Sequence, residues 1–166
     1  MIRFTNYTLS KQLYQSANSI VYRALKGEDN SPVILKVLRA SAPQQVAWFR
    51  REVDVTSRLH MPSVPEVYGL EYTDNLWVMV LEDFGGESLS HLGLTGNLTL
   101  DEFLKLAIDV SDCLGSVHQQ QVIHKDINPS NLLGNLILKP QKIIIFLNPL
   151  GAHKMAGGYF DSFSGQ

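Results

Sequence analysis

Cysteine is nearly missing from this 166-residue chain: Cys113 stands alone, so no internal disulfide can form, and its place in an apolar helical pattern reads as a buried thiol. An excess of charge is missing too. The 14 Lys plus Arg against 16 Asp plus Glu leave a net charge of -2. Without a basic cluster to meet backbone phosphates, a nucleic-acid partner is not expected. No stretch approaches the roughly 18 apolar residues that span a bilayer. "MIRFTNYTLS" has neither the basic start nor the continuous apolar core of a secretory signal, so no membrane partner and a cytoplasmic location are expected. Repeats and low-complexity segments are absent as well.

What remains is the composition of a folded domain, with 45% hydrophobic and 18% charged residues. The length suits one domain with a core, or one domain and a tail. The first third reads as three strands: two runs in "TNYTLSKQLYQSANSIVYRAL" around the turn-prone "QSANS", then "SPVILKVLRA" with Lys36 in its middle. "APQQVAWFRREVDVTSRLH" spaces Val46, Phe49, Val53 and Leu59 at mostly helical intervals, with a Pro near its start and "MPSVP" closing it. "EVYGLEYTDNLWVMVLED" is written as a hairpin turning at "TDN", and "FGGESLSHLGLTGN" follows as a connection.

From Thr99, a helix is expected with Phe103, Leu104, Ala107, Ile108, Val110, Leu114 and Val117 along one broad stripe. Thr99 fits its N-cap, and acids follow in the first turn. After the helix come "VIHKDINPSN", the short strand "NLLGN", and "LKPQKIIIFLNPL", which reads as hairpin-like. The final "GAHKMAGGYFDSFSGQ" has no period of either kind and reads as a frayed tail.

Three residue groups carry chemistry. Lys36 sits inside an apolar strand, where an ammonium needs a counter-charge, and Glu52 on the following helix can supply one; alone, Lys36 could equally snorkel from an edge strand. Asp126, on a short loop after a long helix, is an anion on a rigid mount. Asn131, five positions later, offers a hard amide oxygen of the kind Mg²⁺ accepts. Taken singly, such a cluster of Asp, Asn and Pro is usually only a turn.

Five strands interrupted by one helix, then a hinge, a long helix and an H-x-D-x-x-x-x-N loop resemble the eukaryotic-type protein kinase domain over about Tyr7 to Phe146. The wording of "HKDINPSN" and "VLEDFGGESL" is similar to kinase domains at the N-termini of large bacterial signalling proteins. Aminoglycoside and choline kinases share a related loop that typically reads H-G-D, whereas this one carries Lys125 and ends in "NPSN". The resemblance implies an α+β fold. Its N-terminal five-stranded antiparallel sheet carries one helix and is followed by the first helix, catalytic loop and short hairpin of an incomplete C-terminal lobe. Residues 1–84 would form the N-lobe, 85–147 a partial C-lobe and 148–166 an irregular tail.

The resemblance also implies roles. Lys36 would meet the ATP phosphates, held by Glu52, and Asp126 would orient a Ser/Thr hydroxyl and take its proton. Asn131 would bind Mg²⁺, and His124 would pack beneath the loop. Backbone groups of Glu82, Asp83 and Phe84 would meet the adenine edge, with Val21 and Ile34 over the ring. The cofactors would be ATP and Mg²⁺ and the acceptor a protein.

Several positions depart from the family pattern. Aligned on Val21, the phosphate loop carries Tyr14, Ser16 and Ser19 where the family has three glycines. Asn128 stands where Ser/Thr kinases usually have Lys, and Ile145, Phe146 and Leu147 fall on the Asp-Phe-Gly positions. The next acid, Asp161, is sixteen residues beyond Ile145. No activation segment or A-P-E motif follows, so the family pattern reads as C-terminally truncated. Three readings stay open: a Ser/Thr-type protein kinase of weak or lost activity, a pseudokinase that binds nucleotide or a partner, and a gene fragment.

Overall fold

The computed structural model describes residues 4–27, 29–39, 42–94, 96–124, 126–135, 142–145 and 153–154. Its first half is a sheet built from β1 (Tyr7–Gln15), β2 (Ser19–Lys26), β3 (Pro32–Leu38), β4 (Val67–Thr73) and β5 (Leu76–Glu82), with α1 (Pro43–Ser57) between β3 and β4. All neighbours pair antiparallel, in the order β1-β2-β3-β5-β4. The centre is therefore β3. Its alternation serves two cores: Val33, Leu35 and Val37 pack with Ala24, Val78 and Val80 on one face, while Ile34 and Leu38 pack with Phe49, Met79 and Leu81 under α1 on the other.

Local chemistry fixes the edges of these elements. Pro43 opens α1 at its first turn, where a missing N–H costs nothing. The helix ends at Ser57, so Leu59 belongs to the next segment, packed with Val64, Val117 and Val122. Asp74 and Asn75, at φ 51° and 62°, make the β4–β5 turn, a left-handed pair that Asp and Asn tolerate well.

The second half comprises β6 (Glu87–Ser88), α2 (Leu100–Gln119), β7 (Val122–Ile123), β8 (Leu132–Asn135), β9 (Lys142–Ile145) and β10 (His153–Lys154). Thr99 and Glu102 form a reciprocal capping box at the start of α2: Glu102 N–H donates to Thr99 Oγ1, and Thr99 N–H donates to the Glu102 carboxylate. The bonds that Thr99 N–H and Oγ1 donate to the Glu102 carboxylate hold that carboxyl below its ordinary value. The broad apolar stripe of α2 splits. Cys113 is buried with Leu132, Ile143 and Ile145, with Val110 and Leu114 packed against that cluster. Leu100, Phe103, Leu104 and Ile108 are exposed, Leu100 at 74%. Burial pushes the Cys113 thiol up, and its Sγ donates to Ile143 O at 3.3 Å.

Two parts differ from the sequence reading. β8 pairs with β9 and also with β6, so the connection after β5 contributes a strand that its Gly- and Ser-rich text did not announce. His153 and Lys154, expected in an irregular tail, pair with Ile123 and Val122 of β7. A two-residue strand is too short to show a period, and its pairing comes from an available edge elsewhere in the chain. The remainder of 148–166 lies outside the described residues, as do Phe146, Leu147, Lys125 and Asp161.

Candidate functional site

Because β3 alternates, Lys36 shares a face with Ile34 and Leu38 and points toward α1. On α1, Phe49, Glu52 and Thr56 form the buried face. The two patterns bring the Lys36 ammonium onto the Glu52 carboxylate in a buried ion pair, with side-chain exposures of 11% and 1%. Burial raises the Glu52 carboxyl above its ordinary value, and Lys36 opposes that rise. Among the described residues, Glu52 Oε2 has no hydrogen-bond partner.

The second group is positioned by the end of α2. Gln121, at φ 59°, turns the chain into β7, and Val117 and Val122 anchor that corner in a shared core. His124 is 1% exposed beneath the loop, and its Nδ1 accepts from Asp126 N–H at 3.2 Å. The carboxylate of Asp126 is held on both oxygens: Asn128 Nδ2 donates to Oδ1 at 3.0 Å, and Asn131 Nδ2 donates to Oδ2 at 2.9 Å. Asn131 Nδ2 also reaches Asp126 O at 2.9 Å. These bonds orient the Asp126 carboxylate.

A cavity of about 350 Å³ joins the groups. Val21, Lys36, Asp126 and Asn131 all line it, and Glu52 backs Lys36. Ile34, Glu82, Asp83 and Phe84 are not on its walls. Ile34 is buried in the core beneath α1, paired in register with Leu81. Asp83 is turned to Arg23 of β2: Arg23 Nε donates to Oδ2 at 2.7 Å, Nη2 donates to Oδ1 at 3.2 Å, and Nη2 also donates to Gly86 O at 2.8 Å. A side chain at Gly86 would meet the Phe84 ring, because a Cβ there lies 2.2 Å from a ring carbon. Sequence reasoning missed Gln45, Trp48 and Phe49 of α1 and Leu133 of β8 as walls. Phe49 and Leu133 read as core from their periods, Gln45 and Trp48 lie off the apolar stripe of α1, and only the tertiary fold brings the four to one cavity.

Ile145 lies beside the loop on β9, paired with Leu132 and wholly buried, and its N–H donates to Ser63 O at 2.8 Å. For Mg²⁺, which takes six oxygens, the described residues here offer the Asn131 amide oxygen and an Asp126 carboxylate already bonded twice. Ile145 adds hydrocarbon only. Among the described residues, this donor set leaves most of a Mg²⁺ shell to be filled by other oxygens.

The family model for the protein kinase domain matches residues 7–145. The chain belongs to the protein kinase family. Family members in general use ATP and Mg²⁺. The chain is 29% identical over 136 residues to a probable serine/threonine-protein kinase, pknA2, of Bifidobacterium longum, covering 78% of this chain and 18% of that protein. It is 30% identical over 105 residues to the serine/threonine-protein kinase PrkC of Bacillus subtilis, covering 61% and 16%. An Aurora kinase of Dictyostelium discoideum is 29% identical over 132 residues, covering 77% of this chain and 34% of that kinase. The chain thus spans about a third or less of the length of these three relatives. Among its described residues no helix is long and apolar enough to cross a membrane.

Proposed function

We propose that this chain is a kinase-like nucleotide-binding domain in which phosphate transfer to protein Ser/Thr is weak or lost. The observation that carries this reading is the single cavity on which Val21, Lys36, Asp126 and Asn131 converge, with Glu52 fixing Lys36 from behind. Lys36 would meet nucleotide phosphate, and Val21 would cover the ring. Ile34 would back that wall from the core beneath α1. Asp126 would accept the proton of an attacking hydroxyl, and Asn131 would offer its amide oxygen to a metal brought by the nucleotide. Buried Ile145 supports the non-catalytic reading, because a branched hydrocarbon supplies neither charge nor a ligand atom where the family's acid is aligned. We read 1–84 and 85–147 as the two sides of the site, in a cytoplasmic protein whose partner is another protein.

Thermal unfolding with and without ATP is the test. Millimolar ATP is expected to raise the midpoint of the wild type, and to raise that of Lys36→Met, which keeps the apolar stem, by less. No shift of a folded wild type, with or without Mg²⁺, would contradict nucleotide binding.

A further inference from the structure

The phosphate loop is bonded to itself. Ser16 Oγ accepts from Ser19 N–H at 3.1 Å and from Asn18 N–H at 3.3 Å, and Ser16 N–H donates to Ser19 O at 2.8 Å. Of the four amides from 16 to 19, only that of Ala17 has no partner among the described residues. The turn is also tied from outside. Arg39 Nη1 donates to Ser16 O at 3.0 Å, and Gln45 Nε2 donates to Asn18 Oδ1 at 3.1 Å. A loop that cradles phosphate does so with free backbone N–H groups. Here a serine side chain has taken two of them.

The rest of the cavity gives a polyanion little compensation. Lys36 is the one Lys or Arg on the walls among the described residues, and it is already paired with Glu52. Asp126 and Glu87, the latter paired with Lys11 at 2.5 Å, line the same space. Apolar side chains also line the cavity, and Leu13, Val21 and Leu133 among them can enclose a flat ring.

We propose that Ser16 seals the phosphate loop, so that this pocket recognises a nucleoside by its base and sugar and gains little affinity from each added phosphate. The inference rests on the nucleotide-binding reading above and deepens it. Its ligand class is a purine nucleoside or its monophosphate, rather than specifically the triphosphate.

The test is calorimetric titration of the full chain with adenosine, AMP, ADP and ATP. The four dissociation constants are expected to fall within about fivefold of one another, whereas a loop giving even one free charge-assisted hydrogen bond would separate ATP from adenosine by about tenfold or more. Ser16→Ala, which removes the acceptor and releases the Asn18 and Ser19 amides, is expected to tighten ATP by about tenfold and leave adenosine unchanged. A wild-type gradient steeper than fivefold overturns the proposal, and so does an Ser16→Ala protein with unaltered ATP affinity. If Ser16→Ala fails to fold, the wild-type series decides alone. Binding of none of the four ligands overturns the nucleotide reading and this proposal together, whereas tight, phosphate-dependent binding overturns this proposal only.

Discussion

Glu52→Ala is expected to cost about 3–5 kcal/mol of folding stability, because it strands the buried Lys36 ammonium without its counter-charge. The loss should appear as a lower denaturation midpoint in urea with an unchanged slope. A cost under about 1 kcal/mol would mean the pair behaves as an exposed one. The partner variant separates the two charges by pH. Burial raises the Glu52 carboxyl above its ordinary 4.5, so folding binds a proton more readily than the unfolded chain does. Its contribution is fully present below pH 4.5 and is lost as pH rises through the raised folded value. Lys36→Met removes the charge that opposes this rise. The stability gap between Lys36→Met and wild type is therefore expected to widen as pH climbs above 4.5, and a gap flat with pH would contradict the burial of Glu52.

Transfer of phosphate to a generic Ser/Thr acceptor peptide is the second large effect. Losing one preorganised charge stabiliser costs about 10²–10³ in rate, and the proposed reading aligns the hydrocarbon of Ile145 with the family's acid at the metal side of the site. The rate is therefore expected to lie at least about 10²–10³ below that of a family domain with an acid there. Radiolabelled transfer measures it, with Asp126→Asn as the control that removes any remaining proton acceptor. Transfer at an ordinary kinase rate, abolished by Asp126→Asn, would contradict the account of Ile145.

Much of the fold is legible because its signals are local. Pro43 sets one helix start, the Thr99 and Glu102 box sets the other, and Asp74-Asn75 announces a hairpin in the sequence itself. Two-residue strands are not legible in this way. The strands β6, β7 and β10 have no period to display and exist because a neighbouring edge is there to pair with.

The site divides along the same line. Order along the chain, read through the family resemblance, picks out Lys36, Glu52, Asp126 and Asn131, and the fold brings these four into one place. The walls contributed by Gln45 and Trp48 depend on where α1 sits against the sheet, which no single stretch encodes. The missing glycines at Ser16 and Ser19 are plain in the sequence. That the Ser16 hydroxyl fills the loop it borders is a matter of three-dimensional distance.

The central claim is that the cavity between β2, β3 and the Asp126 loop is where nucleotide binds. Amide NMR spectra of the ¹⁵N-labelled chain, titrated with ATP, test it most directly. The account predicts that signals of Val21, Lys36, Asp126 and Leu133 shift together along one saturating curve while those of Tyr68 and Tyr72, exposed on β4, stay in place. Unmoved cavity signals at saturating ATP, or shifts confined to another face, would contradict it.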